Sequence, residues 1–214
     1  MNSPSERVYA ALHAAVLHGE FAPQQPLKPQ ELATRHGVSL AVVREALLRL
    51  AGEGLAERLP NRGFAVPAAG AERWQQLTEA RVTLEPAMLR LAIARGDLDW
   101  EARVRGAHHR LAGTAPFERD GEAHYSDAWA LAHRGFHRTL LEGCGNDVLL
   151  ETFDRLWTAG ELARRWSALG APGRDAAAEH RAIEEAALAR EADRAADLLQ
   201  QHLCRTAAAL TPPG

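Results

Sequence analysis

The chain carries ten histidines in 214 residues. Two of them, His133 and His137, stand four residues apart. On a helix that spacing puts both imidazoles on one face, about a turn apart, where they can share one metal ion. His180 and His202 follow in later stretches of helical pattern, so four imidazoles from three helices can meet in a bundle centre. Neutral imidazole nitrogens bind Zn²⁺ at about 2.0–2.1 Å. They also suit Ni²⁺ or Cu²⁺, on the tight-binding side of the divalent series. Four neutral ligands leave the charge of the ion uncompensated, which favours an added anion such as a carboxylate. The competing reading of these residues is four core or surface histidines. His108, His109 and His124 fall outside the pattern and read as surface residues.

Other reactive constellations are missing. The sequence has no G-x-S-x-G, no H-E-x-x-H and no phosphate loop. A hydrolytic metal site would need a general base, and Glu179, beside His180, is the only obvious candidate. Neighbouring helical residues diverge by about 100°, so Glu179 is expected to point away from the metal. The expectation is a protein that is not an enzyme. A metal-dependent hydrolase is the remote alternative. Cys144 and Cys204 are too few for a disulfide framework and read as cytosolic thiols.

The elements that would position these residues follow from periodicity. Residues 1–70 carry a charge balance of +1 and residues 71–214 one of −4, within a net charge of −3. The boundary falls near Pro67-Ala68-Ala69-Gly70. The first part reads helix, helix, helix, hairpin. Val8, Leu12, Ala15 and Val16 make one helical face. Gly19 to Pro29 reads as a connection, Gln30 to His36 as a short helix, and Gly37-Val38-Ser39 as a turn whose Ser39 caps the next helix. Val43, Ala46, Leu47 and Leu50 are the core stripe of that helix. Leu55–Leu59 and Phe64–Pro67 flank a tight turn at Pro60-Asn61-Arg62-Gly63. The second part shows no convincing strand. Helices are expected near 71–95, 99–113, 120–143, 147–168, 174–189 and 192–210, with Gly106, Gly135 and Gly160 weakening their continuity. The fold class is therefore mostly α: an N-terminal winged helix-turn-helix with a small β-hairpin, then an all-α antiparallel bundle. Apolar residues make up 46% and charged residues 25%, an ordinary globular composition. No apolar run approaches the roughly 18 residues of a membrane span. The first residues, Met1 to Arg7, form no signal core. A cytoplasmic protein without membrane contact is expected.

Two short helices joined by a tight turn can lay the second helix in a DNA major groove. Arg35, Ser39, Arg44, Arg49 and Arg62 would supply the local positive surface, and the tip Asn61-Arg62-Gly63 would reach phosphate or the minor groove. Glu31-Leu32-Ala33, Gly37-Val38-Ser39, Val43-Arg44-Glu45-Ala46-Leu47, Glu53-Gly54-Leu55 and Arg62-Gly63 together resemble the winged helix of GntR-family transcription regulators. The resemblance covers roughly residues 5–67. It implies DNA contacts at Gln30, Ser39, Leu40, Ala41, Val42, Arg44, Asn61, Arg62 and Gly63. Arg44 matches the family arginine best and suits a guanine edge or a phosphate. Leu40 and Ala41 depart from the family, which has Arg and a small hydroxyl residue there, so they offer only apolar contact, for instance with thymine methyls.

Phe136-His137-Arg138-x-Leu140, Asn146, Glu179-His180-x-x-Ile183 and Gln201-His202-Leu203 resemble the C-terminal FCD domain of the FadR-type branch, over about 75–210. The resemblance implies an all-helical ligand-binding bundle. Its metal-binding members use three His and one Asp, and the Asp position is His133 here. The metal ligands would be His133, His137, His180 and His202, with Zn²⁺ first and Ni²⁺ second. Arg81 matches a family arginine that faces the pocket and could fork onto a carboxylate effector. Arg134 and Arg164 are weaker candidates, and Trp129 and Trp157 read as cavity wall or plain core. The functional expectation is a ligand-responsive repressor that binds operator DNA as a homodimer. Residues 1–70 would read DNA and residues 71–214 would bind metal and a small organic acid and dimerise. A metal-responsive regulator, or a bundle with a purely structural metal, is the alternative.

Overall fold

The computed structural model describes residues 3–60, 63–68, 71–117, 125–166 and 174–208, without the side chains of 71 and 162–166. Two compact units divide the chain, Met1–Arg73 with Thr158–Leu162 and Trp74–Trp157 with Ala163–Gly214.

In the first unit α1 spans Pro4–Leu17, α2 Pro29–His36 and α3 Leu40–Gly52. Ser3 caps α1 in a reciprocal pair with Glu6. Gly37 ends α2 at φ 63°, a left-handed conformation that glycine adopts without strain. Ser39 then caps α3 by accepting the Val42 N–H at 3.4 Å, so a three-residue turn separates the two helices. Val43, Ala46, Leu47 and Leu50 are buried, as their spacing predicts. The hairpin strands are β2 (Glu57–Leu59) and β3 (Gly63–Ala65). A third strand, β1 (Pro26–Leu27), pairs antiparallel with β3 through Pro26↔Ala65 and Leu27↔Phe64, giving the order β1-β3-β2. The sequence shows only a connection there, since Pro26-Leu27 carries no strand signal. Proline is tolerated because β1 is an edge strand.

The second unit is helical among its described residues: α4 (Ala71–Arg95), α5 (Leu98–Ala112), α6 (Asp127–Glu142), α7 (Asp147–Trp166), α8 (Ala176–Leu188) and α9 (Ala192–Ala208). α5 packs on α6 and α8, and α8 packs on α9. α6 starts at Asp127, later than the expected 120, because Ser126 caps it by accepting the Trp129 N–H. Gly106, Gly135 and Gly160 interrupt nothing: α5, α6 and α7 run through them. The core gathers Leu89, Trp100, Phe136, Leu140, Phe153 and Ile183. No helix among the described residues is long and apolar enough to cross a membrane.

Trp100 fixes the α4–α5 corner. Its N–H is capped by Asp97, and its indole N–H donates to the Thr139 carbonyl at 3.1 Å. A Cβ added at Gly143 would lie 2.9 Å from the Trp100 Nε1 and 3.0 Å from the Ala92 oxygen. Gly143→Ala should therefore destabilise the protein by about 1–3 kcal/mol through overpacking. A thermal melt at the wild-type midpoint would show that the corner has slack.

Candidate metal centre and nucleic-acid interface

Helix α6 delivers His133 and His137 from one stripe, while α8 delivers His180 and α9 delivers His202. All four side chains are buried. One ring nitrogen from each lies within 4.8 Å of the others. His180 Nε2 is 3.1 Å from His133 Nε2 and 3.4 Å from His137 Nε2. The edge of a tetrahedron built on metal–nitrogen bonds of 2.0–2.1 Å is about 3.3–3.4 Å. Those two separations match that edge and the whole set stays within 4.8 Å, so the cluster could close around one divalent ion.

The chemistry of the donors points the same way. A neutral imidazole nitrogen presents either an N–H or a lone pair. His180 Nε2 sits close to two others, so hydrogen bonding can serve only one of the two contacts well, whichever tautomer it takes. A cation at the centre accepts every lone pair at once. Burial, reinforced by the neighbouring imidazoles, holds His137 well below the ordinary value of 6.5. His180 is lowered well below it by burial, then by His202 and Arg174. Burial lowers His202 too, against the opposing hydrogen bond from Glu179. Neutral rings are what a metal requires.

Glu179 does turn its carboxylate away from the cluster, and it reaches the back of the His202 ring. The His202 Nδ1–H donates to Glu179 Oε2 at 2.8 Å. That bond fixes the tautomer and leaves His202 Nε2 for the cluster, as carboxylates behind metal-binding histidines do. Arg174 donates to the same carboxylate at 2.6 and 3.1 Å, and Arg205 at 3.2 Å. Burial alone would raise the Glu179 carboxyl, but the bonds from His202 and Arg174 override it and hold it far below the carboxylate range. A carboxylate so saturated is a poor general base. His137 Nδ1 is buried with no hydrogen-bond partner among the described residues.

A cavity of about 500 Å³ adjoins the cluster, lined by His133, His180 and His202 and by Tyr125, Trp129 and Arg174 among others. Arg174 and Arg181 both line it, and sequence reasoning passed over both. Their only signal is proximity to His180 in the chain. Arg81 and Arg134 do not line it. Arg81 is buried in a two-bond pair with Glu85 and lies 5.0 Å from the Trp157 ring. Arg134 holds Asp154 on α7 at 3.0 Å. The Arg164 side chain lies outside the described residues. Trp157 is core and does not line the cavity, and it lies 5.2 Å from both His133 and His137 by ring centroids. Trp129 stacks on His133 at 4.5 Å. His108 is not a surface residue: its Nδ1 meets Glu184 Oε2 at 2.6 Å, and it lines the cavity. The i,i+3 spacing from Val104 to Ala107 already pointed that side of α5 inward, and His108 follows beside it. His109 is exposed, and His124 lies outside the described residues.

In the N-terminal unit Ala41, Arg44, Glu45 and Leu48 share one exposed face of α3. Ser39 and Gln30 are exposed, while Leu40, Val42 and Gly63 are half-buried. Asn61 and Arg62 lie outside the described residues. Arg35 pairs with Glu20 at 3.0 Å, and Arg49 lies 3.7 Å from the Tyr9 ring and pairs with Glu53. Arg44 has no ion-pair partner among the described residues, which leaves its guanidinium available to an external anion.

Two family patterns cover most of the chain. "Bacterial regulatory proteins, gntR family" matches residues 4–66, and "FCD domain" matches residues 76–205. The chain belongs to the GntR family of transcription regulators and carries an FCD domain. The families it matches are regulators and not enzymes. Among relatives of this GntR chain, a Paraburkholderia xenovorans protein described as "Uncharacterized HTH-type transcriptional regulator BphR" is 32% identical, covering 92% of this chain and 81% of the relative. The "HTH-type transcriptional repressor GlaR" of Escherichia coli is 30% identical, covering 91% and 90%. Of solved structures, E. coli McbR/YncC superposes with a TM-score of 0.74 at 21% identity over 98% of each chain, a likeness of fold. DNA binding, the winged helix and the helical FCD bundle thus stand as properties of this regulator. Its bundle holds a four-histidine cluster that could bind a metal ion.

The buried imidazoles set a pH dependence for the metal-free regulator. In the unfolded chain they take up protons near 6.5, whereas the folded cluster resists protonation. The unfolded state then binds more protons, so stability is full above about pH 6.5 and falls as the pH drops below it. The Glu179 contribution is lost only further down, below its ordinary 4.5. Thermal melts of metal-stripped protein between about pH 8 and pH 5 should show this decline. A midpoint that does not move over that range would contradict it.

Proposed function

We propose that the chain is a ligand-responsive transcriptional repressor working in the cytoplasm. Residues 1–70 read operator DNA. Residues 71–214 hold a divalent metal, zinc first and nickel second, bind a small organic acid and make the dimer contact. The observation that carries the effector reading is a shared wall: His133, His180 and His202 belong both to the four-imidazole cluster and to the lining of the cavity beside it. A purely structural ion needs no such cavity. Four neutral ligands leave a bound divalent ion net cationic, and Arg174 adds a guanidinium at the same end, so the cavity suits an anion. The name of the E. coli relative, a repressor, supports the direction of control.

The DNA surface consists of Gln30, Arg35, Ser39, Leu40, Ala41, Val42, Arg44, Asn61, Arg62 and Gly63. Arg44 anchors it from α3 by phosphate or guanine, and Leu40 and Ala41 give apolar contact. Two copies read inverted half-sites. The acid shifts the operator equilibrium only by favouring one arrangement of the two reading heads over another. A coupling of about 1–3 kcal/mol changes operator affinity some 5–150-fold.

The test uses duplexes selected from random sequence by the full-length protein. Zinc-loaded protein should bind them as a dimer, and a carboxylic acid that binds the cavity should weaken that affinity within this range. Arg44→Ala should cost about 1–3 kcal/mol of operator affinity while leaving the thermal midpoint unchanged. Retention of full affinity by Arg44→Ala, or a selection that enriches no sequence, would overturn the reading.

A further inference from the structure

One wall of the cavity has an organisation that the metal cluster does not require. Tyr125, Trp129, His133 and His137 recur at every fourth residue. Their stripe enters α6 at its N-terminus, and the rings stack in sequence. Phe117 lies on Tyr125 with centroids 5.4 Å apart and planes at 19°. Tyr125 lies on Trp129 at 4.2 Å and 22°, and Trp129 on His133 at 4.5 Å and 25°. Ser126 holds Phe117 in place over the stripe: its N–H donates to the Pro116 carbonyl at 2.8 Å and its hydroxyl to the Ala115 carbonyl at 3.0 Å. The result is a continuous ladder of four rings whose innermost member belongs to the cluster.

This stacking decides what the ladder can offer a ligand. Tyr125 has a ring on each face, and so has Trp129. What they turn to the cavity is edge. Aromatic edges carry the positive side of the ring quadrupole and attract the negative face of another aromatic ring. A saturated ring of equal size gains burial against the same wall but no such attraction. The Tyr125 hydroxyl and the Trp129 indole N–H have no hydrogen-bond partner among the described residues, which sharpens the positive character of that wall. The charge comes from Arg174. Arg174, bonded to the His202 carbonyl at 3.1 Å, has no partner on Nη1 among the described residues, and the cluster lies beside it. The cavity therefore combines the Arg174 guanidinium, beside the cluster, with ring edges along its wall. A volume of about 500 Å³ is ample for a one-ring or two-ring acid.

Resting on the acid-effector reading above, we infer that the effector is an aromatic carboxylate, its carboxylate toward Arg174 and the histidine cluster and its ring against the edges of Trp129 and Tyr125. Trp129 and Tyr125 then select for the aromatic ring, with Phe117 stacked behind Tyr125, and both Phe117 and Tyr125 stand clear of the histidine cluster.

The experiment is calorimetric titration of the zinc-loaded, full-length protein with benzoate and with cyclohexanecarboxylate, which share size and charge but not aromaticity. Benzoate should bind at least about fivefold more tightly, since each edge-to-face contact adds to burial. Tyr125→Leu should bring the two acids to within about twofold of each other. Phe117→Leu, one ring further from His133, should narrow the gap with zinc content unchanged. Equal or tighter binding of cyclohexanecarboxylate by the wild type overturns the aromatic assignment and leaves the acid-effector reading standing. Zinc-loaded protein that binds neither acid, nor any of a set of aliphatic mono- and diacids, overturns both. An unchanged benzoate preference in both variants also overturns the assignment, because the selectivity would then arise elsewhere.

Discussion

Four buried imidazoles that converge on one point cannot fully satisfy one another. Each nitrogen turned inward is a donor or an acceptor, and His180 Nε2 faces two others at 3.1 and 3.4 Å. Leaving such groups unpaired and buried costs free energy, and protonating them is opposed by burial and by mutual repulsion. A divalent cation resolves the conflict by taking all the lone pairs. Much of the bundle can be read as the scaffold of that arrangement. α6 supplies two rings from one stripe, and α8 and α9 bring one each. Glu179, clamped by Arg174 and Arg205, fixes the ring of His202 from behind.

The same arrangement links the four histidines to the adjoining cavity. His133 is both a member of the cluster and the last ring of an aromatic stack that reaches the cavity wall. Arg174 is both the clamp on Glu179 and a lining residue. A molecule entering the cavity therefore meets groups that already set the geometry of His133 and His202. That is the kind of shared element through which binding can bias a conformational equilibrium.

The sequence made much of this legible. The i,i+4 pair His133 and His137 puts two imidazoles on one face without any tertiary information. The helix-turn-helix was readable because its turn depends on local chemistry, the left-handed Gly37 and the Ser39 cap. What escaped was set by packing between segments distant in the chain. Glu179 and His202 are 23 residues apart and meet only because α8 lies against α9. The sequence points to Arg81, Arg134 and Arg164 as the arginines near the cluster. Arg81 and Arg134 have carboxylate partners of their own, and Arg174, preceding the cap of α8, lines the cavity instead. His108 looked like a surface residue because its partner Glu184 comes from another helix. β1 had no sequence signal, since its pairing rests on β3 rather than on its own residues.

The most direct measurement is the metal content of the full-length protein, grown without added metal and without an affinity tag, beside a His137→Ala/His180→Ala double variant. About one equivalent of zinc or nickel per chain is expected in the wild type and little in the variant. Wild-type protein that folds, binds its selected DNA and contains no divalent metal would contradict the account, and the four histidines would then be a core cluster without a ligand.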